Sequence, residues 1–365
     1  MRLALLYHQF ITRGGLEGYL REFAAHLKSA GHELVFVTCR IDEVMRELAD
    51  DVRIISPAFT SRGTLAKFAA GSAELAPGLK ADAVLGFGRT WRQDLHRAGG
   101  GCHCHYSRML PWWKRLRPKN QLELALERRL YTGGETRHFL VNSSKVLREL
   151  EEAYQVPPDR VSVIHTAVDP QKWCPAATRE QRQDLRQRLG ICSDAPALLF
   201  ASLDHRRKGL GTLLQALAQI PDAHLWVAGQ PLDAWEPIIH KLGLTRRVTG
   251  LGRADLRPWF QAADWFVHPT HYDACANTVL QSMACGLPGL ISAADGAVEF
   301  IEEGKNGLIL QTPGDPEALA VKLRHALDLP EAEHDRMALA ARAAVLPLSW
   351  SAHLAGWEAA LHRSA

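Results

Sequence analysis

The stretch from Phe266 to Pro288, FVHPTHYDACANTVLQSMACGLP, combines residue types that suit the binding of a phosphorylated ligand. An apolar strand runs into a polar loop and then into a helix, which we predict to carry Asp273 and Gln281 eight positions apart. The start of a helix offers unpaired backbone N–H groups and the positive end of the helix dipole, and both attract anions. Small residues would let the backbone approach such a ligand closely: Ala274, Ala276, Ala284, Cys285 and Gly286. An ordinary core helix with a Pro-ended loop is the alternative interpretation.

A second motif, Arg206-Arg207-Lys208-Gly209, directly follows the apolar strand ALLFAS and precedes a predicted helix from Leu210 to Leu217. A cation run that is merely solvated belongs on the outer face of a helix rather than after a strand. A diphosphate would explain the run, because guanidinium and ammonium groups make charge-assisted hydrogen bonds to phosphate oxygens. These bonds strengthen as a departing phosphate gains charge.

Gly14-Gly15 lies between the first predicted strand and the first predicted helix. Glycines there permit a backbone turn that other residues resist, and would present helix N–H groups to a ligand. A simple tight turn is the alternative. The G-x-G-x-x-G fingerprint is absent after the first strand, which disfavours a nicotinamide enzyme.

The run GGGCHCHY, residues 99–106, alternates cysteine and histidine. Zinc is disfavoured because i, i+2 spacing places like residues on one side of an extended chain, and the C-x2-C spacing of zinc sites is missing. We predict instead a loop in which His103, rather than His105, offers its imidazole to a sugar hydroxyl. A purely structural histidine is the alternative.

The segment RMLPWWKRLRPKNQLELALERR, residues 108–129, embeds a tryptophan pair among cations. Tryptophan prefers the membrane interface, and each nearby cation adds about 1 kcal/mol of attraction to acidic lipid. The sequence therefore predicts contact with an anionic membrane surface through Trp112, Trp113, Lys114, Arg115 and Arg117. An exposed loop with a tryptophan packed beneath it is the alternative, and no RNA-binding signature supports a nucleic-acid partner.

The elements that must position these motifs alternate between short apolar strands and amphipathic helices, which predicts an α/β fold. The pattern indicates two Rossmann-like domains, residues 1–165 and 166–348, that face each other across a cleft at the carboxyl ends of two parallel sheets. The predicted strands cover residues 3–7, 33–38, 52–55, 83–86, 138–141 and 161–164, then 197–201, 224–228, 247–249, 265–268, 290–292 and 308–310. The first predicted helix spans residues 16–29 and stops at Gly31.

Composition agrees with two globular domains, since 365 residues that are 47% hydrophobic can bury two cores. The net charge of +3 is too small for the whole surface to bind nucleic acid. The seven scattered cysteines indicate reduced thiols in a cytoplasmic protein, and we expect no disulfides: they are residues 39, 102, 104, 174, 192, 275 and 285. The N-terminal apolar run is too short for a secretory signal, and no stretch predicts a membrane span.

Taken in order, the paired glycines, RRKG and HPTHYDACANTVLQSMACGLP resemble the family 4 retaining glycosyltransferases of the GT-B fold. Within that family the chain is most similar to the lipopolysaccharide core glucosyltransferases. The resemblance implies a nucleotide diphosphate sugar as donor, expected to be UDP-linked, with no metal and no other cofactor. It also implies a C-terminal helix, residues 349–365, that packs back on the first domain. The tryptophan-rich segment matches the membrane-associating region of these enzymes in position.

The resemblance assigns roles to individual residues. Arg207 and Lys208 would hold the donor diphosphate, Asp273 would contact the donor sugar, and Gln281 would contact the ribose. Residues whose backbone N–H groups would meet sugar and phosphate are Ala274, Cys275, Ala276, Asn277 and Thr278. Gly14, Gly15 and the His103 region would lie near donor phosphate and acceptor. Gly252-Arg253 corresponds in position to the boundary of the nucleotide base, and Glu299 to a further acid of the family.

Three positions depart from the family pattern. Gln281 stands where the Glu-x7-Glu motif has its second acid. Hydrogen bonds to charged groups contribute about 1.5–3 kcal/mol, and neutral ones contribute about 0.5–1.5 kcal/mol. We therefore expect about tenfold weaker donor binding. The first acid is shortened to Asp273, and Thr166-Ala167-Val168-Asp169 replaces an Asn-Gly-Val-Asp turn, which would stiffen a hinge.

The sequence thus predicts a retaining transferase that moves a hexose, expected to be glucose, to a lipopolysaccharide-core or other lipid-linked acceptor at the cytoplasmic membrane face. Asp273, His103, Arg207 and Lys208 are its expected catalytic residues. A non-catalytic nucleotide-sugar-binding protein on the same fold is the alternative, favoured by Gln281 and the altered hinge. A sugar epimerase of similar architecture is a second.

Overall fold

The computed structural model describes residues 1–11, 14–191 and 195–364, and Cys192 lies outside them. The chain divides into two compact units. Unit 1 consists of residues 1–166 and the C-terminal helix that begins at Trp350, and unit 2 consists of residues 167–349. Within the described residues no helix is both long and apolar enough to cross a bilayer.

Unit 1 contains a seven-stranded parallel sheet with the order β5-β3-β1-β6-β7-β8-β9. Two further strands of two residues each, β2 and β4, pair with each other. Its strands are β1 (Arg2–Leu6), β2 (Gln9–Phe10), β3 (Glu33–Thr38), β4 (Arg40–Ile41), β5 (Asp51–Ile54), β6 (Ala83–Gly86), β7 (Gln93–Arg97), β8 (Thr136–Val141) and β9 (Val161–Val163). Its helices are α1 (Gly15–Ser29), α2 (Glu43–Arg46), α3 (Ser61–Leu75), α4 (His103–Met109), α5 (Trp112–Arg115), α6 (Pro118–Thr132) and α7 (Ser144–Tyr154).

The sequence of β1, RLALL, explains why the first sheet is buried on both faces. Leu3 and Leu5 join one apolar cluster with Phe23 of α1, whereas Ala4 and Leu6 join the opposite cluster. A strand that is apolar on both sides is typical of a parallel sheet covered by helices on each face. The parallel pairings of β1 with β3 and β6 confirm that prediction.

Strand β7, QDLHR, is an internal strand that the apolar pattern did not predict. Its polar side chains are nonetheless buried, with Gln93, His96 and Arg97 each no more than 5% exposed. The side-chain amide of Gln93 donates to the Thr136 hydroxyl at 3.1 Å, and Arg97 donates to the Thr166 hydroxyl at 2.8 Å. Buried polar groups are tolerated when they are hydrogen-bonded, so hydrophobicity alone could not reveal this strand.

Unit 2 contains a six-stranded parallel sheet with the order β12-β11-β10-β13-β14-β15. Its strands are β10 (Ala197–Ser202), β11 (His224–Gly229), β12 (Val248–Gly252), β13 (Trp265–His268), β14 (Gly289–Ser292) and β15 (Gly307–Leu310). Its helices are α8 (Arg179–Arg188), α9 (Leu210–Leu217), α10 (Glu236–Lys241), α11 (Arg257–Ala262), α12 (Asn277–Ala284), α13 (Pro316–Leu327) and α14 (Glu331–Val345). Two parallel α/β units of this kind confirm the predicted fold class.

The order of the strands in unit 2 reverses between β10 and β13. The chain moves from β10 outward to β11 and β12, then returns to place β13 on the other side of β10. In open α/β sheets, ligands bind at the carboxyl ends of the strands where the order reverses. The turn that follows β10 and the loop that follows β13 therefore meet at the position where a ligand site is expected.

The C-terminal helix α15 (Trp350–Ser364) packs within unit 1. Trp357 is 3% exposed and lies against the Phe23 ring, at 4.7 Å between centroids. His353 Nδ1 lies 2.7 Å from the His165 carbonyl oxygen, while its Nε2 lies 2.8 Å from the Tyr19 hydroxyl and accepts a hydrogen bond from Trp357. Burial lowers the pKa of His353 to about 3, so the ring is neutral and can accept at Nε2.

Candidate active site

The turn after β10 places two cations at the point where the strand order reverses. The Asp204 amide donates to the Ser202 hydroxyl at 2.8 Å, and the Lys208 amide donates to the Asp204 carbonyl at 3.0 Å. Gly209 has φ +80°, and a Cβ there would lie 2.1 Å from the Pro269 carbonyl oxygen. Only glycine accommodates both that backbone conformation and that approach, so Gly209 lets the turn pack against the end of β13.

Arg207 ties this turn to the loop after β13. Its Nη1 donates to the Tyr272 carbonyl at 2.9 Å, and its Nε lies 3.3 Å from Asp204 Oδ2. Its own carbonyl accepts a hydrogen bond from the His271 amide at 2.9 Å. The guanidinium is half-buried with a 30% exposed side chain, so part of it remains available to an external anion.

Lys208 lies deeper, 7% exposed, and its ammonium contacts the Asp273 carboxylate directly. The same Nζ lies 3.4 Å from Nε2 of His268, at the end of β13. His268 Nε2 in turn lies 3.8 Å from Asp273 and 3.3 Å from Asp295 Oδ2. The structure thus brings together the predicted Arg207, Lys208 and Asp273, and adds two residues that sequence analysis did not single out.

Burial is the main influence on the charges in this cluster. It lowers the pKa of Lys208 to about 7, and the Arg207 charge acts in the same direction, while the Asp295 and Asp204 charges oppose both. Burial also holds the pKa of His268 well below its usual range, reinforced by the Lys208 and Arg207 cations. His268 is therefore neutral, and Lys208 gains or loses its proton near neutral pH.

The sequence did contain a signal for the two missed residues. His268 is the last residue of β13, and Asp295 follows β14, the next strand in the sheet. Because the carboxyl ends of parallel neighbours lie at one edge, polar residues just after both strands are brought together. Both are buried, with 0% of each residue exposed.

The helix after β13 begins later than predicted. Asp273 precedes α12, which starts at Asn277, so Asp273 and Gln281 do not share one helix. The reason is that the loop pairs with the segment after β14, where the Asp273 amide donates to the Ala294 carbonyl at 3.2 Å and the Gly296 amide donates to the Asp273 carbonyl at 3.2 Å. This pairing holds Asp273 in an extended conformation in front of the helix.

The other predicted donor-binding residues of unit 2 have varied environments. Ala274, Cys275 and Ala276 are buried, and the Ala276 amide already donates to Asp295 Oδ1 at 3.1 Å. Asn277, Thr278 and Gln281 are partly exposed on α12. Arg253 follows the edge strand β12, two strands from β10, and is exposed. Their roles toward a donor stay predictions.

The structure contradicts two expectations for unit 1, a glycine-dependent turn at Gly14 and an extended loop at residues 103–106. The paired glycines do lie at the start of the first helix as expected, and their role toward a donor stays a prediction. Gly14 has φ −143°, an extended conformation open to any residue, and Gly15 opens α1. Residues 103–109 form the helix α4 rather than an extended loop. The helix starts there because the fully buried Glu127 accepts hydrogen bonds from the amides of His103 and Cys104, at 2.8 Å each.

The His103 ring is engaged by neighbouring side chains. Its Nε2 lies 2.9 Å from Asn120 Oδ1, and its Nδ1 lies 3.4 Å from Glu123. Asn120 also donates to the Ser107 hydroxyl at 2.9 Å. These contacts fix the orientation of the ring, and a role of His103 toward a sugar stays a prediction.

The tryptophan-rich segment is exposed in unit 1. Trp112 and Trp113 of α5 are 69% and 53% exposed, and Leu116 beside them is 65% exposed. The Arg115 guanidinium donates to the Leu110 carbonyl at 2.8 Å and also contacts the Arg108 carbonyl oxygen. The two indoles are therefore not packed beneath a loop, and Arg115 stabilises the turn that presents them.

His268, Asp273 and Asp295 have side chains of the types that bind metal ions, and one ligand atom from each lies within 4.8 Å of the others. The Lys208 ammonium already contacts Asp273 and lies 3.4 Å from His268. A side-chain cation therefore lies against two of these three residues, Asp273 and His268.

Two Rossmann-like parallel units, one of them with a cationic turn where its strand order reverses, match the architecture expected of a GT-B glycosyltransferase. Family models agree: residues 13–172 match Glycosyltransferase Family 4 and residues 195–328 match Glycosyl transferases group 1. The chain belongs to the family 4, group 1 glycosyltransferases of the GT-B fold.

Individual relatives have the same architecture. The chain is 25% identical over 335 residues to the lipopolysaccharide glucosyltransferase WaaG of Escherichia coli strain K12. This alignment covers 90% of each protein. The WaaG crystal structure superposes with a TM-score of 0.86 at 22% identity and 98% coverage of each chain. Anabaena HepE in complex with UDP and glucose has a TM-score of 0.76 at 19% identity, covering 98% of this chain and 99% of that one.

Proposed function

We propose that this protein is a retaining hexosyltransferase that moves glucose from UDP-glucose to a lipopolysaccharide-core or other lipid-linked acceptor. The observation that carries the proposal is the contact of the cationic turn, through Lys208, with Asp273 at the strand reversal of unit 2. The similarity to a lipopolysaccharide glucosyltransferase supports this acceptor class, and the HepE complex supports UDP and glucose as the donor parts.

The proposed chemistry depends on binding groups more than on acid–base groups. The donor diphosphate draws the Lys208 ammonium away from Asp273 and engages the exposed part of Arg207. Both cations interact most strongly when the diphosphate carries its full leaving-group charge, so they stabilise the transition state more than the bound donor. Asp273, released from Lys208, accepts hydrogen bonds from the sugar hydroxyls and orients the sugar.

Departure of the nucleoside diphosphate breaks the bond between the sugar C1 and the phosphate oxygen and leaves an oxocarbenium-like centre. The acceptor hydroxyl then attacks C1 from the same face, and the departing phosphate takes its proton. The transferred hexose therefore keeps its configuration. Lys208 supplies the cation that other transferases take from a metal ion, which supports a metal-independent reaction.

Radiolabelled UDP-glucose, offered with deacylated lipopolysaccharide core, tests the proposal. We expect label on the acceptor, an α-linked product by NMR, and unchanged rates when EDTA is added. A product of inverted configuration would contradict the mechanism, and a rate lost with EDTA and restored by a divalent ion would contradict metal independence. UDP binding without transfer across a broad acceptor panel would favour the non-catalytic binding protein. Glucose converted without any acceptor would favour an epimerase.

We further propose that the enzyme acts at the cytoplasmic face of the inner membrane, which it contacts through α5. Replacing Trp112 and Trp113 together with alanine is expected to weaken binding to phosphatidylglycerol-containing vesicles by about tenfold, because two interfacial indoles are lost. Vesicle co-sedimentation measures the change. Phe59→Ala, which removes a fully exposed aromatic ring elsewhere in unit 1, is the matched control. Equal binding by both variants would exclude α5 as the contact.

A further inference from the structure

Asp295 is a fully buried carboxylate at the edge of the proposed donor site. Its Oδ1 accepts hydrogen bonds from the Ala276 amide at 3.1 Å and the Ala297 amide at 2.8 Å. Its Oδ2 lies 3.3 Å from Nε2 of His268, which lies 3.4 Å from the Lys208 ammonium. Asp295 is thus linked on one side to the residue before α12 and on the other side to the lysine.

We propose that Asp295 is a positioning residue that keeps Lys208 charged and holds the start of α12 in place. This inference rests on the proposed function, because the donor diphosphate binds to the ammonium form of Lys208 and not to the neutral amine. Asp295 acts through Lys208 and the backbone of the donor loop, without touching the substrate itself.

Charged and titratable groups approach Lys208 from four segments. Arg207 and Asp204 belong to its own turn, His268 to β13, Asp273 and Cys275 to the loop before α12, and Asp295 to the segment after β14. Asp273 would turn to the sugar when a donor binds. Asp204, half of whose side chain is exposed, is screened by solvent. Asp295 alone among the three carboxylates is both fully buried and held by two backbone amides.

The direction in which loss of Asp295 shifts the pKa of Lys208 follows from the charges around Lys208. Burial first, and then the Arg207 charge, lower the pKa of Lys208 to about 7, and the carboxylate of Asp295 opposes them. Loss of that carboxylate lowers the pKa further, so Lys208 loses its proton at a lower pH. An opposite charge close to a titrating group typically moves its pKa by about one unit or more.

Asparagine separates the two roles of Asp295. In Asp295→Asn the side-chain oxygen still accepts from the Ala276 and Ala297 amides, but the negative charge is gone. Asp295→Ser is a second uncharged variant that is smaller and relieves any crowding by the new amide group. Glu302→Gln, which removes an exposed carboxylate paired with Lys305 near the same segment, is the matched control.

The direct measurement is the pH titration of Lys208 by NMR in the full-length protein, with lysines labelled with 13C at Cε and the resonance assigned by Lys208→Met. We expect a wild-type midpoint near pH 7 and a midpoint about one pH unit lower in both uncharged variants. Glu302→Gln is expected to titrate like wild type. An unchanged midpoint in Asp295→Asn and Asp295→Ser would overturn the proposal.

Calorimetry with UDP separates this inference from the proposed function. Above pH 7 we expect Asp295→Asn to bind UDP about tenfold more weakly than wild type, since a shift of one unit lowers the ammonium fraction about tenfold there. At low pH the two affinities are expected to converge. If wild type does not bind UDP at all, the proposed function fails, and the NMR midpoints still decide whether Asp295 keeps Lys208 charged.

Discussion

Replacing Lys208 with methionine is expected to lower kcat/KM for the sugar donor by about a hundredfold to a thousandfold, the usual effect of removing one group that stabilises transition-state charge. Methionine keeps the length and apolar stem of the side chain and removes the ammonium. The assay belongs below pH 7, where the ammonium form predominates because burial lowers the pKa of Lys208 to about 7. Initial rates of glucose transfer at varied donor concentration measure the loss.

Arg206→Met is the matched control, since Arg206 belongs to the same cationic run but is exposed. It is expected to change kcat/KM by less than about threefold, in keeping with the small contribution of solvated charges. Lys208→Met also leaves Asp273 without its cation, and breaking a buried pair costs about 3–5 kcal/mol of stability. Circular dichroism must therefore show that the variant is folded at the assay temperature. Full activity in a folded Lys208→Met variant would refute the assigned role.

Replacing Gly209 with alanine is expected to destabilise unit 2 by about 3 kcal/mol or more. A left-handed conformation alone costs a residue with a Cβ about 1–2 kcal/mol. In addition, the new Cβ would lie 2.1 Å from the Pro269 carbonyl oxygen, so the turn or the end of β13 must move. That movement would pull Arg207 from the Tyr272 carbonyl and reduce donor binding as well. Urea unfolding followed by circular dichroism measures the stability.

Gly243→Ala isolates the conformational cost. Gly243 has φ +70°, and a Cβ there would meet nothing within 4 Å, so only the backbone penalty of about 1–2 kcal/mol applies. The difference between the two variants therefore measures the clash with Pro269. Equal destabilisation by both would mean that the turn is not packed as tightly against β13 as described.

The cationic half of the candidate site could be predicted because residues that are adjacent in the sequence carry its chemistry. Arg207 and Lys208 follow an apolar strand directly, where a merely solvated cation run is out of place, and Asp273 follows another such strand. Two strands that are neighbours in a parallel sheet bring such residues together. The contact of Lys208 with Asp273 brings the two motifs together in unit 2, as roles toward the diphosphate and the sugar of one donor require.

Other parts of the site depend on contacts between distant segments. Helix α4 begins at His103 because Glu127, on α6, supplies acceptors for its first amides, and an alternating Cys-His run gives no indication of that. The helix α12 begins after Asp273 because residues beyond β14 pair with the loop. In both cases a hydrogen bond across the fold outweighs the local pattern.

The sequence by itself determined the two α/β units, the strands with apolar runs and the cationic turn, because hydrophobic periodicity and strand-end chemistry are local properties. Only the tertiary structure decided which polar groups are buried together. It showed that His268 lies between Lys208 and the buried Asp295, and that β7 buries a glutamine, a histidine and an arginine as an internal strand. The physical reason is that the cost of burying a polar group depends on the partner that it finds, and the partner comes from another part of the chain.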